Sequence, residues 1–132
     1  MPIEFDLIMT MQLSHYPSAI ASSAQRLNEI DSQIMAVEIL INREEGNADR
    51  ISAFDSDLKN DAQRKGRRFE ILLTNQQYQT AVNTLMRLNA EKANALAHLE
   101  YLRNSFSVAK LEARSAIAGA ITDVESRELV GL

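Results

Sequence analysis

The sequence predicts an all-α chain, a long antiparallel, coiled-coil-like helical hairpin that dimerises into a four-helix bundle. A compact three- to four-helix bundle is the alternative architecture. Three observations carry this. Helix breakers are scarce, with four Gly and two Pro in 132 residues, which suits long helices better than a turn-rich β fold. Apolar residues recur with a seven-residue rhythm in two separate stretches. The two stretches carry opposite charge. A hydrophobic content of 45% is that of an ordered globular chain, and the length fits one ordinary domain.

Residues 1–15 read as an extended arm. Ile3, Phe5, Leu7, Met9, Met11 and Leu13 alternate with mostly polar neighbours, the period-2 pattern of a half-buried strand. Nothing later in the chain offers such a strand a partner. Pro17 suits the first turn of a helix, where its missing N–H costs nothing.

Residues 16–121 form the expected hairpin, with arms of about 18–62 and 68–120 and a turn near 63–67. In the first arm, Ile20, Leu27, Ile34, Ile41 and Ala48 occupy position a, and Ser23, Ile30, Val37 and Ile51 occupy d. In the second arm, Ile71, Tyr78, Leu85, Leu99 and Phe106 occupy a, and Ala81, Leu88, Ala95 and Leu102 occupy d. The two rhythms are out of phase, and Gly66 lies in the gap between them. Glycine favours a helix stop, so the turn is placed there. Folding at that point faces Ile41 with Leu88, Ile34 with Ala95 and Leu58 with Ile71, each pair of numbers adding to 129. The same register sets Lys92 opposite Val37 and Asp55 opposite Thr74, two polar residues on an apolar seam.

Charge supports the pairing. Residues 27–58 hold eight carboxylates against Arg43 and Arg50, whereas residues 59–110 hold nine cations against four carboxylates. Such charges guide pairing more than they stabilise it, since exposed pairs contribute only ~0.2–1 kcal/mol each. The alternative bundle breaks the first arm at Gly46, beside Glu44, Glu45 and Asn47, and starts a new helix at a capping box of Thr74 and Gln77. Residues 122–132 are a tail or a short helix capped by Thr122 and Glu125.

No enzyme is expected. Cysteine is absent, and there is no phosphate loop, dinucleotide turn or serine elbow. His15 and His98 are the only histidines, and neither completes a Glu-x-x-His metal motif. No catalytic residue, cofactor or metal follows. With a formal net charge of −4, nucleic acid is disfavoured as a partner. No apolar run approaches the ~20 residues of a membrane span. The cysteine-free composition and the absence of a basic signal-peptide start lead to the expectation of a cytoplasmic protein.

Two surfaces stand out. Arg64, Lys65, Arg67 and Arg68 form a basic cluster at the expected turn, a docking point for an acidic or phosphate-rich partner. Leu72, Val82, Met86, Leu96, Val108 and Leu111 lie off the second seam, with Leu40 and Phe54 adding to the first arm. A second apolar stripe on a long helix calls for cover, and a second copy of the chain supplies it. The expected function is a homo-oligomeric scaffolding or protein-interaction role. The alternative is an assembly or secretion chaperone that holds a client segment on an open apolar face.

Overall fold

A computed structural model describes residues 12–130, and among them all regular structure is helical. After a 3₁₀ turn at Leu13–His15 come α1 (Tyr16–Ala53), α2 (Asp61–Thr74) and α3 (Gln76–Val130). The alternating stretch expected as a strand lies almost wholly outside the described residues. No helix among the described residues is long and apolar enough to cross a membrane.

The first arm does not break at Gly46. Helix α1 runs through it, and no glycine among the described residues adopts a positive φ. A mid-helix glycine costs about 1 kcal/mol, and long-range contacts on either side offset that. Ile41 and Ala48 are buried. Glu44 accepts a 2.7 Å hydrogen bond from Asn75, and Glu45 pairs with Arg68 at 3.7 Å.

The turn is not at 63–67. It occupies residues 54–60, and Gly66 sits exposed inside α2. The reason lies in polar side chains that satisfy the free backbone groups. Asp55 Oδ1 accepts from the Asp57 N–H at 3.0 Å, the local bond by which aspartate favours turns. Asn60 caps α2 by accepting from the Gln63 N–H at 2.9 Å, and Gln63 accepts in return from the Lys59 N–H at 2.6 Å. This variant of the capping box fixes the helix start.

Helix α2 ends at Asn75, whose extended backbone (φ −82°, ψ 106°) breaks it from α3. The Asn75 side chain then caps α3 through the Tyr78 N–H at 3.1 Å. A new helix therefore starts beside the Thr74–Gln77 pair, but Asn75 is the cap. Thr74 instead returns its hydroxyl to the Glu70 carbonyl at 3.0 Å.

Contacts divide the chain into a unit of Arg26–Ala95 and a second unit built from the segments on either side of it. In the Arg26–Ala95 unit, α1 runs antiparallel to α2 and the start of α3. Ile30, Ile34 and Leu88 form its core, with Val37, Leu85 and Ala95 packed against them. Every one of these is an a or d residue of the heptads. The phase read from the sequence is therefore the phase that is buried, whereas the register is not the one expected. Asp31 meets Lys92 at 2.8 Å and Glu45 meets Tyr78 at 3.4 Å, and each pair adds to 123 rather than 129. The helices are slipped by about one heptad. A seam that repeats every seven residues tolerates such a slip, because a and d positions still meet. Lys92 accordingly faces a carboxylate on the flank of the seam, not Val37.

In the second unit, Tyr16 is buried and stacks on Phe106 with ring centroids 5.4 Å apart, and Lys110 Nζ lies 4.4 Å from the Phe106 centroid. Ser23, Leu99 and Leu102 are buried there too. Helix α3 then continues to Val130, so the tail is helical to that point. Thr122 is no cap, because its hydroxyl bonds the Ala118 carbonyl at 2.9 Å in mid-helix.

Candidate interaction surfaces

The basic cluster lies on the first half of α2, not on a loop. Cations near a helix N-terminus meet the unfavourable end of the macrodipole, and acidic partners compensate. Arg64 bonds Asp61 at 3.1 Å, and Arg67 lies 3.7 Å from Glu70. Arg68 reaches across to α1, where Nε donates to Asp49 Oδ1 and a second guanidinium nitrogen lies 3.7 Å from Glu45. Three of the four expected docking residues are thus engaged within the chain. Lys65 is exposed and has no carboxylate at ion-pair distance among the described residues.

Beside this cluster, Asp49, Ser52 and Ala53 of α1 and Arg64, Lys65 and Arg68 of α2 line a cavity of about 210 Å³. Ser52 is 3% exposed and its hydroxyl has no hydrogen-bond partner among the described residues. The sequence marked the cations but not Ser52. Only the α1–α2 fold brings residue 52 beside residues 64–68.

The residues expected at an oligomer interface divide in two. Leu72 is 6% exposed, so α2 spends it inside the chain, which corrects its assignment to a free face. Val82 is half-buried. Met86, Leu96, Val108 and Leu111 are exposed, Met86 at 67%. Leu40 is half-buried and Phe54 exposed.

Further apolar residues open to solvent were not singled out from the sequence. In the Arg26–Ala95 unit these include Met35 and Ile39 on α1 and Phe69 and Leu73 on α2, each pair one helical turn apart. In the other unit, residues 114–128 of α3 are all exposed, among them Ile117, Ile121 and Val124. These three repeat at helical spacing and share one face. Their continuation of the 3.6-residue period was the available signal.

A larger groove of about 550 Å³ opens in the Arg26–Ala95 unit. It is lined by the apolar Val37, Leu40 and Ala81 together with Arg43, Gln76, Gln77, Thr80 and Thr84. It holds neither a histidine nor a carboxylate. Across the described residues, no group of three or more His, Cys, Asp or Glu side chains is placed to hold a metal ion. His15 and His98 are both exposed. Against this geometry, comparison with known protein families, curated proteins and solved structures gives no match.

Proposed function

We propose that this chain is a non-enzymatic helical interaction or scaffolding protein that works as a homo-oligomer. Two copies pair their second long helices into a four-helix bundle, and the assembled helical faces receive a further protein. The observation that carries the reading is the end of α3. Residues 114–128 are exposed and covered by none of the described residues, yet they are helical and carry Ile117, Ile121 and Val124 on one face. An isolated helix of this length is marginal in water, and burial of its apolar face is the usual source of its stability. The same segment of a second copy offers a matching face, as two-fold pairing requires. Val108 and Leu111 are exposed on a different side of the same helix. The cytoplasmic setting expected from the sequence belongs to this proposal.

The alternative, a chaperone for a client segment, is favoured by the open groove between Val37, Leu40 and Ala81. The two readings differ in what fills the apolar surface. Sedimentation equilibrium of the wild type and of Ile117→Asp/Ile121→Asp decides between them. The oligomer reading expects a dimer mass that falls to a monomer in the variant. A monomeric wild type at tens of micromolar would overturn it.

A further inference from the structure

We infer that the cavity between α1 and α2 is a binding site for a small tetrahedral oxyanion, hydrogen phosphate. Serine and threonine inside helices usually return their hydroxyl to a carbonyl one turn back. Thr84, Ser107 and Thr122 do so in this chain, at 2.8, 3.1 and 2.9 Å. Ser52 does not: its hydroxyl is shielded from solvent and has no partner among the described residues, and the residue lines the cavity. A buried hydroxyl left without a partner costs ~1–3 kcal/mol, so the site has a donor waiting for an acceptor.

The cavity walls say which acceptor. Arg64, Lys65 and Arg68 line it against a single carboxylate, Asp49. Asp61 and Glu45, which hold two of those cations, do not line it. The lining charge is positive, and Lys65 brings an ammonium with no carboxylate of its own. A cation would find only Asp49, which Arg68 already occupies. Arg64 is freed at small cost, because Asp61 is almost fully exposed and such pairs contribute little. Guanidinium groups suit phosphate oxygens geometrically. The volume of about 210 Å³ holds one such ion with a few waters, each of which takes ~30 Å³.

Asp49 sets the choice among oxyanions. Its carboxylate repels a fully deprotonated ligand but accepts a hydrogen bond from one that keeps a proton. Hydrogen phosphate keeps a P–OH at neutral pH and sulfate keeps none. The site therefore prefers phosphate to sulfate although both are tetrahedral dianions.

Isothermal titration with inorganic phosphate and with sulfate, at matched ionic strength in a buffer free of both, tests this on the full chain. Phosphate binds with a saturable isotherm at least tenfold tighter than sulfate. Ser52→Ala and Lys65→Gln each weaken phosphate binding about tenfold or more, while Arg103→Gln, which does not line the cavity, leaves it unchanged. Ser52→Ala folds at least as stably as the wild type, because it removes an unpaired hydroxyl, and its melting temperature without phosphate checks this. No saturable phosphate binding, equal binding of sulfate, or binding untouched by both substitutions would overturn the inference. The test does not depend on the oligomeric state.

Discussion

Leu88→Ala probes the seam at its most buried point. Leu88 is 1% exposed and belongs to the same cluster as Ile30, also 1% exposed, and Ile34. Removing a buried leucine's outer carbons loses their transfer free energy and leaves a cavity, together 2–5 kcal/mol. Because Leu88 lies on a helix contact with half-buried neighbours at Val37 and Leu85, partial collapse limits the cavity. The expected cost is about 3 kcal/mol. A urea slope of about 1–1.5 kcal/mol/M for a chain of this size turns that into a midpoint lowered by about 2–3 M. Circular dichroism during urea unfolding reads the shift, at several protein concentrations because the proposed dimerisation would link stability to concentration. A loss under 1 kcal/mol would refute the reasoning, since it would place Leu88 at the surface and rotate the whole seam.

The two asparagine caps should differ in weight. Asn60→Ala removes one cap bond and should cost about 1 kcal/mol, read in the same unfolding experiment. Asn75→Ala loses the cap to Tyr78 and the 2.7 Å bond to Glu44, so the expected cost is about 2 kcal/mol. Equal costs would mean that the Asn75–Glu44 bond contributes nothing.

Much of this fold was legible because apolar periodicity is a direct consequence of burial. The buried positions of α1 beyond Tyr16 are Ser52, one residue past the exposed d position Ile51, and Ser23, Ile30, Ile34, Ile41 and Ala48, which lie on the heptad read from the sequence. The same holds for Ala81, Leu88, Leu99 and Leu102 on α3. The turn precedes Gly66, which the sequence favours as a helix stop. A glycine permits a stop but does not compel one, whereas the Asn60–Gln63 pair supplies bonds that a helix start needs. The cluster of Asp55, Ser56, Asp57 and Asn60 was the stronger signal. The register was beyond reach for a different reason. A heptad pattern fixes position only to within seven residues, and the choice among registers rests on where the turn falls. With the first arm ending at Ala53 rather than near residue 62, the partners move back by about a heptad.

The surfaces were legible in part. The basic residues were visible as a run, but their ion pairs with Asp49 and Glu45 join residues about 20 apart in sequence. Ser52 gave no signal at all, because an unpartnered hydroxyl is a property of the fold. Leu72, off the seam read from the sequence, is the buried residue of α2, which is a helix separate from α3.

Zero-length carbodiimide crosslinking reads the helix register from a single ion pair. Lys92 Nζ lies 2.8 Å from Asp31 Oδ1, a contact that the reagent converts to an amide. Peptide mapping by mass spectrometry of a mixture of isotope-labelled and unlabelled chains separates links within a chain from links between copies. The expected product joins Asp31 to Lys92 within one chain. A Lys92 link to Glu38, next to Val37 as the alternative register requires, or an Asp31–Lys92 link found only between chains, would contradict it.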